Sequence, residues 1–424
     1  MSSTAAPRRT SRVTSSGPPC PRLATPTNRI LATPLEELEA LLAEDRVSVE
    51  KRETTAFDAI AGPFNRSLIL FGAGRLGRKT LAGLRRLGIE PLAFADNNPA
   101  SWNHPIEGVP VLPPQQAAEI YGQKAVFVVT IWRAGGEHRY DRTQAQLRQL
   151  GCQRVAPAAM LFWKYPETFL DYYCLGLPHQ VIAEREAVRQ AFSWLEDEVS
   201  RREYVSQVRW RLWLDFAALA SPDKQEQYFP EDIFRLRPDE VLADCGAFDG
   251  DTLAAFLRRT GEAFGQITAL EPDPANFQKM SARVAQYSPA IRRKIRLEQV
   301  GAADFSGSLR FDGDGSLSSA ANPEGALEVP CVTLDELLRD TPPTYIKMDI
   351  EGGEPEALRG AREIIRQSAP LLAVSAYHKP NHLWRIPELI RSLRADYRLY
   401  LRPHNEECWD TVCYAVPPHR SKRL

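Results

Sequence analysis

Two stretches constrain the fold of this chain more than anything else in it: SLILFGAGRLGRKTLAGL at residues 67–84 and VLADCGAFDGDTLAAFL at residues 241–257. Each runs from a short apolar strand through glycines into a helix with apolar residues along one stripe. A strand that passes at once into a helix is rejoined by a parallel neighbour rather than by a hairpin partner. Two such junctions, far apart in a chain of 424 residues, predict separate α/β units. That agrees with roughly 100–200 residues per domain.

The flanking sequence extends each unit. Thr33-Pro34-Leu35-Glu36-Glu37 reads as a helix start, with a Thr cap, a proline in the first turn and acids behind it. After SLILFGAG and its helix come the strand PLAFAD, the turn-rich NNPASWNHPIEG, the strand VPVLP, a helix near PQQAAEIYG, the strand AVFVVTIW, the helix TQAQLRQLG and CQRVAP. This alternation predicts a small parallel sheet in a Rossmann-like unit over 33–158. Residues 159–232 change character: VIAEREAVRQAFSWLEDEVSRREYVSQVRWRLWLDF reads as long helical stretches with Arg/Glu faces, hence a helical connector. From 233 onward EVLADCG, QITALEP, IRLEQVGAAD, TYIKMDI and APLLAVSAYH read as five parallel strands. YRLYLRPH and DTVCYAVPP close the sheet as a pair whose last strand runs antiparallel. The expected fold class is α/β, with a doubly wound, mostly parallel sheet over 233–424.

Composition narrows the function classes. A formal net charge of −1 gives no electrostatic case for a nucleic-acid partner. No apolar run reaches the roughly 20 residues of a membrane span. The seven cysteines, at 20, 152, 174, 245, 331, 408 and 413, form no C-x-x-C pair, so neither a disulfide framework nor a zinc knuckle is expected. A reducing cytoplasm is the simplest compartment. Residues 1–32 carry Ser, Thr, Pro and Arg without an acid and are expected to form a disordered tail. Their prolines disfavour the amphipathic helix of a transit peptide, and no apolar core of a secretion signal is present.

The second junction carries the clearer chemistry. Gly246 and Gly250 let the backbone approach a ligand, and the helix that starts near Asp251 points its free N–H groups into the same space. Asp244, Asp249 and Asp251 would repel a pyrophosphate and favour a ligand with positive charge, such as an amino group or a sulfonium. Glu271 ends the next strand about 25 residues on, where an acid accepts hydrogen bonds from both ribose hydroxyls. Asp304 in GAAD is positioned for an adenine amino group, or for a turn of its own. Adenosine joined to a cationic amino acid describes S-adenosylmethionine. Asp244 and Asp251 also have the plainer reading of helix or loop caps.

Residues 241–417 resemble the FkbM family of class I methyltransferases through DCGAFDGDT, ALEPDPANF, VTLDELL, YIKMDIEGGEPEALRGA and the final Tyr-containing strand pair, in that order. Phe248 departs from the family pattern, where many members carry Asn in a DxGANxGD loop. The resemblance implies methylation dependent on S-adenosylmethionine, usually of a hydroxyl on a sugar or natural-product scaffold. Lys347, Asp349, Glu351 and Glu354 fall at the end of the fourth strand of this unit, on the edge where open α/β sheets hold ligands. Asp349 is a candidate to orient or deprotonate an acceptor hydroxyl, with His378 as a rival base at the next strand end and Lys347 on the same face as Asp349. A structural Lys347–Asp349 ion pair is the alternative. No metal is expected: Pro380 separates His378 from His382, and DGDGSLSS at 312–319 has Leu317 and Pro323 where a calcium loop needs its glycine and glutamate.

The first junction is a G-x-G-x-x-G, with Gly72, Gly74 and Gly77, followed about 20 residues later by Asp96. Residues 65–157 resemble the Rossmann-like N-terminal domain of PglD-type sugar acyltransferases, which implies a nucleotide-linked sugar as ligand. Arg75 and Arg78 would meet its phosphates and Asp96 a hydroxyl. A domain used only for packing or dimerisation is the alternative. For the whole chain, methylation of a hydroxyl on a sugar, nucleotide-linked sugar or other small-molecule or glycan acceptor stands beside two other readings. One is a nicotinamide-dependent nucleotide-sugar oxidoreductase working at the first junction, and the other a non-catalytic binding protein. A homo-oligomer is compatible with either.

Overall fold

The computed structural model describes residues 33–133, 138–222, 225–261, 263–311 and 327–420. The tail expected at 1–32 and the stretch 312–319 lie outside the described residues. A five-stranded sheet is built from β1 (Leu68–Phe71), β2 (Ala93–Ala95), β3 (Val111–Leu112), β4 (Val126–Val129) and β5 (Arg154–Pro157), ordered β3-β2-β1-β4-β5. Every pairing in it is parallel, and β1 and β4 are buried along their whole length, as strands covered by helices on both faces must be.

The second sheet contains β6 (Val241–Cys245), β7 (Gln266–Leu270), β8 (Ile295–Glu298), β12 (Tyr345–Met348), β13 (Leu371–Ser375), β14 (Arg398–Pro403) and β15 (Thr411–Val416), in the order β14-β15-β13-β12-β6-β7-β8. Only β15 runs against the rest, because it pairs antiparallel with both β13 and β14. Between β8 and β12 the chain forms a separate three-stranded sheet from β9 (Gly301–Ala302), β10 (Gly307–Phe311) and β11 (Leu327–Val332). The expected single strand IRLEQVGAAD is therefore two. β8 stops at Glu298, and the chain then leaves the large sheet to pair β9 with β11.

In the connector, the stretch from Val181 to Phe216 read as helical is divided mainly among three helices, Pro178–Ala183, Arg185–Ser193 and Glu198–Trp213. The last begins afresh because Asp197 caps it, accepting the Ser200 N–H at 2.8 Å. Asp197 also meets Arg402, whose guanidinium reaches Asp232 as well and so ties the connector to β14. The Thr33 helix start forms as expected, as a full capping box with Glu36. Its Leu38, Leu41 and Leu42 pack into the core of the second sheet, although the boundary at 33 grouped them with the first unit.

The two sheets meet through aromatic side chains and ion pairs. Trp132, beyond β4, packs against Tyr172, Trp210 and Trp409 and donates its indole N–H to Glu407 O at 3.1 Å. Arg139 pairs with Glu406 at 2.7 Å, and the Tyr140 N–H bonds Glu407. These contacts set the end of the first sheet that carries its glycine loop beside the loops that follow β12, β13 and β14.

Candidate active site

The register of β12 on β6 sets Lys347 opposite Asp244. Their side chains form an ion pair at 3.0 Å that solvent does not reach. Burial pushes the Asp244 carboxyl up while Lys347 pulls it down; burial likewise opposes charge on Lys347, and Asp244 with Asp349 more than restores it. Lys347 also donates to Gly246 O at 2.6 Å. The pair therefore grips the start of the glycine loop from inside the sheet.

The loop itself depends on two left-handed glycines. Gly246 has φ +78° and lies against the backbone of Asp349, so that a Cβ there would come 1.9 Å from Asp349 O. Gly250, at φ +84°, is the N-cap of the helix Asp251–Thr260, so Asp251 is the first helical residue rather than the cap. Phe248 takes φ +48°, a conformation that Asn accepts more readily than an aromatic residue. Its N–H donates to Glu271 Oε2 at 2.8 Å, and the Asp273 N–H donates to Glu271 Oε1 at 2.9 Å. Burial raises the Glu271 pKa and these two amides oppose the rise. Each Glu271 oxygen has one donor and capacity for another. Asp249 Oδ2 accepts from Arg283 at 2.8 Å, whereas its Oδ1 is buried without a hydrogen-bond partner.

Asp304 sits elsewhere. It follows β9 of the small sheet, is exposed, and pairs with Arg359 at 3.3 Å.

At the end of β12 and β13 a second group assembles. Asp349 Oδ2 accepts the Tyr228 hydroxyl at 2.8 Å, and Tyr377 OH is 3.5 Å from Oδ1. His378 Nε2 is 3.4 Å from Asp349 Oδ1, and its Nδ1 is 2.8 Å from Glu354 Oε1. The Glu354 carboxylate also takes the N–H of Ile350 at 2.9 Å. Burial would raise Glu354, but His378 brings it down to about 2; His378, which burial alone would lower, is held up to about 9 by Glu354. Burial pushes Glu351 up to about 8 and His382 down to about 4. Asp349 keeps 26% of its side chain exposed against 1% for His378, so Asp349 is the group an incoming molecule meets.

In the first unit Gly72 has φ +117°, and a Cβ on Gly77 would fall 2.0 Å from Gly72 O. These two glycines close the turn and seat the helix Arg75–Arg86. Gly74 differs, with open space where its Cβ would be. Asp96 uses both oxygens on its own neighbourhood, accepting Ala73 N–H at 2.6 Å and Asn98 N–H at 2.7 Å. Arg75 and Arg78 are exposed at the start of the helix, and Arg75 is close enough to Glu351 to favour its carboxylate.

Sequence reasoning passed over Tyr228, which lies in the connector and reaches Asp349 over 121 residues of chain. It also passed over the Asp244–Lys347 pairing, which needed the strand order. No local signal marks Tyr228; its neighbours in QYFP suggest only a turn.

A mostly parallel seven-stranded sheet with one antiparallel strand, and a glycine loop leaving β6 beside an acid that ends β7, define a class I methyltransferase fold. Residues 244–402 match the family model of the methyltransferase FkbM domain. A crystal structure of methyltransferase FkbM from Methylobacillus flagellatus KT is similar with a TM-score of 0.72 at 22% identity, over 90% of this chain and 98% of that one. Precorrin-6y C5,15-methyltransferase from Geobacter metallireducens GS-15 gives 0.29 at 14% identity, over 46% of this chain and 91% of that one. An rRNA methylase from Streptococcus thermophilus gives 0.28 at 13% identity, over 43% and 89%. No curated protein matches. Among the described residues no helix is long and apolar enough to cross a membrane.

Proposed function

We propose that this chain is an S-adenosylmethionine-dependent methyltransferase that methylates a hydroxyl of a sugar or related acceptor. The observation that carries the reading is the contact of Gly246 with the Asp349 backbone, which makes the glycine loop and the partly exposed Asp349 that follows β12 two sides of one space. The residues fit the cofactor. Glu271 has acceptor capacity for ribose hydroxyls, and the unpartnered Asp249 Oδ1 is available to a donor. The helix Asp251–Thr260 directs N–H groups toward a carboxylate. When bound, S-adenosylmethionine supplies an electrophilic methyl group.

The protein's own part is placement and proton transfer. Asp349 orients the acceptor hydroxyl and takes its proton, with Tyr228 and His378 fixing the carboxylate. Holding the hydroxyl in line is worth about 7–11 kcal/mol, and a general base about 3–5 kcal/mol more. Asp244 and Lys347 act behind the loop by holding Gly246.

The acceptor we favour carries a nucleotide or another phosphate handle. The Gly72–Gly77 turn, with Arg75 and Arg78 at its helix, opens on the side of the first sheet that meets the Asp349 loops, which suits a ligand spanning both. Calorimetry with S-adenosylhomocysteine tests the first half of the reading. Binding that weakens at least tenfold in Glu271→Gln supports it, and binding of NAD instead would sink it. Transfer of labelled methyl onto a panel of nucleotide-linked sugars tests the second half.

A further inference from the structure

Asp349, Glu354 and His378 each offer one donor atom lying within 4.8 Å of the other two, two of the three residues being buried. Glu354 faces Nδ1 of His378 and Asp349 faces Nε2, so bringing all three residues to the 2.0–2.2 Å that an ion of the zinc type requires turns the imidazole off its 2.8 Å contact with Glu354. The imidazole is 1% exposed, its Nε2 makes no hydrogen bond, and it points at Asp349 Oδ1 from 3.4 Å. Glu354 Oε2 is likewise buried without a hydrogen-bond partner, with His382 Nδ1 at 3.4 Å. His378 Nε2 and Glu354 Oε2 are thus two buried polar atoms without hydrogen-bond partners, the first facing the partly exposed Asp349 carboxylate.

The elements supply the preorganisation a metal site needs. Ile350 N–H fixes Glu354, and the side chains come from the ends of two adjacent strands and the helix Glu354–Gly360. Glu351 stands beside the cluster, its Oε2 3.8 Å from His378 Nε2, and has Arg75 near it. Three carboxyl groups thus surround one imidazole. Imidazole with two carboxylates suits manganese or zinc better than magnesium.

We infer that Asp349, Glu354 and His378 form a binding site for one divalent cation of the manganese or zinc type, open toward the acceptor through Asp349. Binding of the ion stands on this donor set alone. Its use rests on the methyl-transfer reading: coordination of the acceptor oxygen would acidify the hydroxyl, whose proton would pass to the Asp349 carboxylate oxygen not on the ion, while the oxygen takes the methyl group and S-adenosylhomocysteine leaves.

The test is titration of chelator-treated full-length protein with Mn²⁺ and, separately, Zn²⁺, followed by calorimetry and, for Mn²⁺, by electron paramagnetic resonance. One ion per chain is expected, with affinity reduced at least tenfold in Asp349→Asn and in His378→Gln and unchanged in Asp304→Asn. Should the site variants fail to fold, hyperfine coupling from histidine nitrogen in Mn²⁺-loaded wild type, altered by ¹⁵N-histidine labelling, decides the matter. Absence of that coupling, or equal affinity in all variants, overturns the inference. S-adenosylhomocysteine titrated into the metal-free protein is scored separately, so that failure of the metal site and failure of the methyltransferase reading give different results.

Discussion

Lys347 Nζ and Asp244 Oδ1 lie 3.0 Å apart on neighbouring strands, with side chains 2% and 0% exposed. Removing one member leaves the other charged and buried, which costs about 3–5 kcal/mol. Lys347→Met is therefore expected to lower the unfolding temperature of the methyltransferase unit, and Asp244→Asn to do the same. A variant of either kind that melts like wild type, as followed by circular dichroism, would show that the pair does not hold the loop.

Tyr228 gives the next prediction. Its hydroxyl donates to Asp349 at 2.8 Å, while its backbone is held by Tyr414 OH on the N–H and by Tyr345 OH on the carbonyl. Those backbone bonds survive in Tyr228→Phe, so what is lost is the grip on Asp349 and the bond that Gln227 Nε2 donates to the hydroxyl at 2.9 Å. A hydrogen bond to a charged group contributes about 1.5–3 kcal/mol, and kcat is expected to fall tenfold or more. Affinity for S-adenosylhomocysteine should not change. An unaltered kcat would remove Tyr228 from the positioning of the acid.

How far the sequence reveals this arrangement depends on the range of the interaction concerned. The Thr33 capping box is legible because its partners are three residues apart. The βα junctions are legible because glycine, strand and helix are contiguous, and the antiparallel strand follows from a closing pair of apolar runs. The helix break at Asp197 was hidden because Arg/Glu patterning continues across it, and only the cap and Arg402 give it away. β10 and β11 were missed since they pair with each other away from both large sheets. Gly246 was read as making room for a ligand, while its Cβ position is filled by the Asp349 carbonyl, a contact between strands far apart in sequence.

Gly74 separates a ligand role for the first glycine loop from a structural one. At Gly77 an added Cβ would strike Gly72 O at 2.0 Å, so Gly77→Ala damages the unit whatever it binds. At Gly74 a Cβ meets nothing within 4 Å and φ is −78°. Gly74→Ala should cost no more than about 1 kcal/mol as an N-cap change, yet fill the space a phosphate would occupy. The expected result is an unchanged melting transition, unchanged S-adenosylhomocysteine affinity and a KM for a nucleotide-linked acceptor raised at least tenfold. Equal KM values for wild type and variant, across acceptors with and without phosphate, would take the first loop out of the proposed function.

Glu203 makes the stability of the chain depend on pH. It lies buried in the helix Glu198–Trp213, accepts from Gln207 Nε2 at 2.7 Å and leaves Oε2 without a partner. Burial pushes its pKa from 4.5 up to about 7, against the opposing pull of Gln207, Arg211 and Arg402. The folded state therefore holds this proton more tightly than the unfolded chain. Below pH 4.5 both states are protonated and the group is neutral in its effect. As pH rises from 4.5 to about 7 the unfolded side chain ionises first, and stability falls by about 3 kcal/mol in total. Glu203→Gln keeps an oxygen for Gln207 and has no proton to lose. Denaturant unfolding of both proteins at pH 5 and pH 8 isolates the effect, because other titrating groups cancel in the difference. The variant is expected to gain on wild type by about 2–3 kcal/mol between those two pH values. A difference that does not grow with pH would mean that Glu203 titrates as it does in the unfolded chain.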